Sequence, residues 1–223
     1  MDDYLLRILP ILALFLVSIW LNGYIRARVA YTLGDARPKI EGRMSWNPLP
    51  HIDLIGLLSL LVFYTGWAKP LSVNFNDLGR KRWAILVIEL SGFLTNFLVG
   101  ITFAILFLLF KSLESPTNLD LRWLKNALEF VATFNVFLAL FSLLPFPQLP
   151  GFRAFTGLIY HKPQGILDSQ ALTYMGYAIV FILVIWTPIL DWIGSATIFF
   201  LRAFGMTGKP FLGLFAYKFF GGF

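Results

Sequence analysis

Few side chains in this 223-residue chain are equipped for chemistry: it has two histidines, His51 and His161, and no cysteine. The absence of cysteine rules out disulfide frameworks, thiolate zinc sites and thiol nucleophiles. A catalytic zinc centre needs three protein ligands plus an open position for water. His51 sits in the string Asn47-Pro48-Leu49-Pro50-His51-Ile52-Asp53, and His161 in a loop-like His161-Lys162-Pro163, neither with a ligand-spaced neighbour. Only by combining both with a carboxylate could the chain assemble a zinc site; the simpler role for His51 is a hydrogen-bonded interfacial histidine. Two charges inside long apolar runs, Arg26 and Glu89, carry more information, because a charge in hydrocarbon is costly and needs a partner. Glu89, Gly92, Asn96 and Gly100 are spaced three, four and four apart, which puts them on one helical stripe whose small members admit a close neighbour. Arg26 and Glu89 each lie about five or six residues, roughly 8 to 9 Å of rise, from the same end of their helices. The expected contact is Arg26 with Glu89 or with the Asn96 amide. The competing reading makes Arg26 and Arg28 anchors at the membrane surface.

The elements that must hold these residues are membrane helices. Composition is 58% hydrophobic and 13% charged with a mean hydropathy of +0.74, against about a quarter charged in soluble domains. An all-α polytopic membrane protein follows. The formal charge of +6 is scattered without a nucleic-acid motif, so lipids and other integral membrane proteins, not nucleic acid, are the expected partners. Helix one runs from about Tyr4 to beyond Leu21; the start lacks a basic region and a cleavage site, so it reads as a retained anchor. Arg26, Arg28, Arg37, Lys39 and Arg43 follow it, which places its end in the cytoplasm and the N-terminus outside. Leu54 to Trp67 is short for a span and is followed by Lys69, Arg80, Lys81 and Arg82, favouring a re-entrant helix. Trp83 to Phe110 is the clearest span, Lys111 to Asn126 a nearly neutral outer loop, and Asn126 to Leu144 the return. Pro145, Pro147 and Pro150 should stop regular helix there. Leu172 to Leu190 crosses again, and Ile193 to Phe204 is a further apolar run.

Four strings occur in an order and spacing that resemble the site-2 protease family of intramembrane zinc metalloproteases, in its small bacterial branch. They are Trp20 to Asp35 (WLNGYIRARVAYTLGD), Asn47 to Asp53 (NPLPHID), Gly66 to Pro70 (GWAKP) and Asn135 to Arg153 (NVFLALFSLLPFPQLPGFR). In that family the first string carries H-E-x-x-H, two zinc ligands one helical turn apart with a general base between them. Here Asn22, Gly23 and Arg26 stand at those positions, and Pro150 stands at the Asp ligand of the later L-D-G motif. The resemblance covers roughly Leu21 to Arg153. It implies a site-2-protease-like helical bundle with a short hairpin at the cytoplasmic face within Leu33 to Pro50, where Arg37 to Arg43 alternates and looks turn-like. The hydropathy pattern gives one transmembrane domain over 1–204, the site-2-protease-like core lying at about 4–153, and a tail, 205–223, rich in Phe and Gly that reads as interfacial or docking. Asn96 matches the Asn of A-G-P-x-x-N beside the H-E-x-x-H helix. Asn135 matches an intramembrane Asn expected to cross-link helices, and Ser142 replaces a second Asn. His51 matches a histidine beside the family's active site. Phe152 replaces a Gly in the D-G-G-R-like run that Gly151 and Arg153 continue. Asn47 and Asp53 suit capping or turning around Pro48 and Pro50.

With all ligands and the base replaced, the resemblance implies a pseudoprotease without catalytic residues, resident metal or cofactor. Arg26 would supply the positive charge the metal once did. The expected function is a noncatalytic integral membrane subunit that binds partner transmembrane helices as a scaffold or accessory component of a larger hetero-oligomeric membrane complex, bioenergetic and photosynthetic complexes being examples; the alternatives are a regulatory pseudoprotease that transiently captures single-pass clients and a protease with residual zinc-dependent activity. The partner groove would be inherited from the family, with His51, Asn135 and Phe152 at it, in a bacterial cytoplasmic membrane.

Overall fold

A computed structural model describes residues 2–63, 67–79, 81–113, 122–147, 149–160, 164–167, 169–186 and 188–206. Nine α-helices appear among them: α1 (Asp2–Thr32), α2 (Arg37–Ile40), α3 (Leu54–Phe63), α4 (Arg82–Leu113), α5 (Arg122–Ser142), α6 (Pro150–Ile159), α7 (Gln164–Leu167), α8 (Gln170–Trp186) and α9 (Ile189–Leu201). Two 3₁₀ turns, Leu49–His51 and Arg202–Phe204, complete the regular structure. No strand occurs among the described residues, and extended pairing is limited to one bridge between Ile52 and Ala68.

The chain forms two compact units, Met1–Thr95 with Ser142–Thr187 and Asn96–Phe141 with Pro188–Phe223. In the first, helical spacing selects the buried face. Ile19, Asn22, Gly23, Arg26, Ala27 and Ala30 are buried on α1, a stripe with steps of three and four that follows the 3.6-residue turn. Ala84, Ile85, Ile88, Glu89 and Gly92 repeat the pattern on α4. Ala27 and Ala30 pack with Leu71, Val73, Phe75, Leu78, Ala84, Ile85 and Ile88 in one apolar cluster. Small residues let backbones approach: a Cβ on Gly92 would lie 2.5 Å from Arg26 Cδ, and one on Gly157 would lie 2.7 Å from Ile85 Cβ. In the second unit Ala104, Phe107, Ala132, Val136, Leu201 and Met206 form the core. There Gly100 takes the same part, since its Cβ would meet Val136 Cγ2 at 2.5 Å.

Among the described residues one helix, Arg82–Ser112 within α4, is long and apolar enough to cross a membrane. Only 22% of its most apolar window is buried, whereas the core helix of a soluble protein would be mostly covered.

Several expected elements take a different form. Arg37 to Arg43 is not a hairpin: α2 is followed by a turn in which the Arg43 amide donates to the Pro38 carbonyl and Gly42 adopts a φ of 70°. Pro38 removes a donor that a ladder would need and presets a helical φ. Helix one continues to Thr32, and the short apolar run is α3, ending at Phe63. Pro150 does not stop helix but starts α6, because proline at the first turn loses only an N–H that would be unpaired anyway. The run expected from Leu172 to Leu190 is two helices, with Pro188 capping the start of α9. The tail beyond Met206, His161 and residues 114–121 of the expected outer loop lie outside the described residues, while the two ends of that loop are helical, in α4 and α5.

Candidate functional site: a buried ionic cluster

Glu89 is 1% exposed and sits between two arginines that are themselves buried, Arg26 at 2% and Arg153 at 5%. Arg26 Nη2 donates to Glu89 Oε2, and Arg153 Nε donates to Glu89 Oε1 at 2.8 Å. Arg153 Nη2 also donates to the Leu71 carbonyl at 2.6 Å. Helices α1, α4 and α6 therefore meet through one carboxylate. Two guanidiniums against one carboxylate leave a buried surplus of positive charge, and Arg26 Nε has no hydrogen-bond partner.

Beside this cluster the Asn22 amide donates to the Gly92 carbonyl at 2.7 Å, made reachable because Gly92 has no side chain. Gly23 is covered by His51, whose Nδ1 would lie 2.2 Å from a Cβ placed there. His51 is 0% exposed, and neither ring nitrogen has a hydrogen-bond partner. Burial, then the charges of Arg43 and Arg26, push its pKa down to about 4, so the ring is neutral at pH 7. The loop carrying it is tied down by Arg43, which donates to the Lys69 and Pro70 carbonyls at 3.1 and 2.9 Å. Asn47 accepts from the Leu49 amide at 3.0 Å, and Asp53 accepts from the Gly56 amide at 2.8 Å, the turn and cap that their residue types favour.

The structure thus joins Arg26 to Glu89 and brings Asn22, Gly23 and His51 beside them. Pro150 opens α6 one turn before Arg153. Asn96, two turns beyond Glu89 on α4, is buried in the second unit. Asn135 also lies there, and it does not cross-link helices through a described bond: its Nδ2 donates to Val131 O, one turn back on its own helix, and its Oδ1 is unpartnered. Phe152 is partly buried and lines a cavity with Arg153 and Tyr177. His51 is sealed from solvent.

Sequence reasoning missed Arg153 as the second partner of Glu89. Its signal was available: an arginine in the first turn of an apolar segment after Pro150. It also missed Tyr177, whose hydroxyl donates to Asp53 Oδ2 at 2.7 Å; nothing in linear spacing joins residues so far apart.

The chain belongs to the site-2-protease-like family of zinc metalloproteases. It is similar to "Putative zinc metalloprotease YwhC" of Bacillus subtilis (strain 168), 32% identical over 190 residues that cover 83% of this chain and 84% of that protein. No protein-family model and no solved structure matches the chain. The likeness therefore extends beyond the segment from Leu21 to Arg153 in which motifs are legible.

The residues at the family's metal positions do not fit zinc. Arg26 is a cation already engaged by Glu89, Gly23 has no side chain, the Pro150 side chain carries no donor atom, and Asn22, whose Nδ2 donates to Gly92, could offer a single neutral amide oxygen. Among the described residues no group of three or more His, Asp or Glu is placed to hold a metal ion.

Proposed function

We propose that this chain is a noncatalytic integral membrane subunit that binds transmembrane helices of a stable partner. The observation that supports this is the Arg26–Glu89–Arg153 cluster, in which Arg26 stands where the family resemblance expects a zinc-ligating histidine. A guanidinium can bind a carboxylate or hold helices in register, but it cannot activate water as a metal does. The exposed apolar length of α4 supports membrane insertion: Leu94, Leu98, Ile105 and Leu109 are 44 to 60% exposed, a surface suited to lipid or partner helices. A polytopic arrangement in the cytoplasmic membrane extends the same reading.

Purification of the full chain from its native membrane in mild detergent tests this. A partner that stays at fixed stoichiometry through size-exclusion chromatography supports a structural subunit. Isolation as a lone monomer overturns it, and transient, substoichiometric co-purification favours a client-capturing pseudoprotease instead. Metal analysis of the same sample separates the enzymatic alternative: bound zinc lost on His51→Ala would revive it.

A further inference from the structure

Outside the buried cluster, two adjoining cavities of about 200 and about 350 Å³ open in the first unit and share Pro70, Arg153 and Thr173. The smaller is lined by Asp53, Lys69, Phe152, Ser169 and Tyr177 among others, the larger by Arg37, Glu41 and Ser72. Charge in this cleft is unequally committed. Asp53 accepts from Tyr177 and from the Gly56 amide, and Glu41 lies 3.5 Å from Arg43 Nε. By contrast, among the described residues neither the Arg37 guanidinium nor the Lys69 ammonium has a side-chain acceptor. Arg153 lies between them, buried and oriented by Glu89 and the Leu71 carbonyl through Nε and Nη2. Its Nη1 makes no described bond and is not among the sealed, unpartnered atoms. The helices that line the cleft also carry exposed apolar side chains: Phe155 at 57% and Ile159 at 51% on α6, Met175 at 51% on α8.

We propose that this cleft binds the phosphate of an anionic phospholipid headgroup. Arg153 would donate from a fixed position while Arg37 and Lys69 close on the phosphate from the rim. Acyl chains would lie along the exposed faces of α6 and α8. Guanidinium recognises phosphate oxygens through paired N–H groups, and basic pockets at membrane-protein surfaces select such headgroups. The larger cavity falls at the lower end of those that hold small ligands, about 300 to 1,000 Å³, and the smaller adjoins it. The proposal rests on the membrane insertion argued above and goes beyond the partner-binding role.

The test uses the full chain, first in vesicle flotation and then in native mass spectrometry with equal phosphatidylglycerol and phosphatidylcholine. Flotation with the vesicles and retention of phosphatidylglycerol over phosphatidylcholine is the expected result. Arg37→Ala and Lys69→Ala, neither in the buried cluster, should each lower that preference roughly fivefold, while Lys39→Ala, on α2 outside the cleft, should leave it unchanged. Failure to float refutes membrane insertion and the lipid site with it. Flotation without a headgroup preference, or an equal loss in Lys39→Ala, refutes the site alone. Inorganic phosphate that binds as tightly as the lipid would assign the cleft to free phosphate and overturn the lipid as its occupant.

Discussion

Replacing Glu89 by Gln removes the carboxylate to which both Arg26 and Arg153 donate, while preserving shape. Both arginines are at most 5% exposed, so neither can recover hydration without opening the helix packing. Breaking a buried ion pair from one side costs about 3 to 5 kcal/mol. The second guanidinium here puts Glu89→Gln toward the upper part of that range. For a chain of this length that corresponds to a fall of roughly 6 to 20 °C in unfolding temperature, readable by tryptophan fluorescence in detergent. The triple variant Arg26→Met, Glu89→Leu, Arg153→Met should recover most of the loss, because apolar replacement of a whole buried triad also removes its desolvation cost. A charge swap, Arg26→Glu with Glu89→Arg, should rescue only in part: Arg153 then faces the new arginine. A shift below about 1 kcal/mol for Glu89→Gln, or the same shift when both arginines are already Met, would show that the cluster does not hold the helices and would refute the reasoning.

Other consequences are more local. Gly23→Ala should cost about 1 to 3 kcal/mol through overpacking against His51, and adding His51→Ala should remove most of that penalty, a non-additivity measurable in a double-mutant cycle. His51 binds its proton less readily when folded than at its ordinary value of 6.5. Below pH 6.5 the unfolded chain therefore takes up more protons. Stability should rise with pH between about 4 and 6.5 by up to about 3 kcal/mol, and His51→Leu should flatten that part of a thermal-unfolding pH series. In the second unit, Gly100→Leu should disrupt the approach of α4 to α5; an unchanged unfolding temperature would contradict the packing described there.

What the sequence determined by itself was the helical class, the long apolar stretch of α4 and the family likeness. Each depends on residue type or on spacing within one segment, and helical periodicity makes those local facts legible. The pairing of Arg26 with Glu89 was within reach because both charges sit inside apolar runs at similar depth. Pro38 and Pro150 were harder, because proline ends a helix interior yet favours a first turn, and only the surrounding packing settles which applies. Tertiary structure alone decided that Arg153 joins Glu89, that His51 lies over Gly23, and that Asn135 bonds within its own helix. Those facts depend on distances between segments far apart in the chain, where a guanidinium finds its acceptor through the folded geometry and no linear pattern records it.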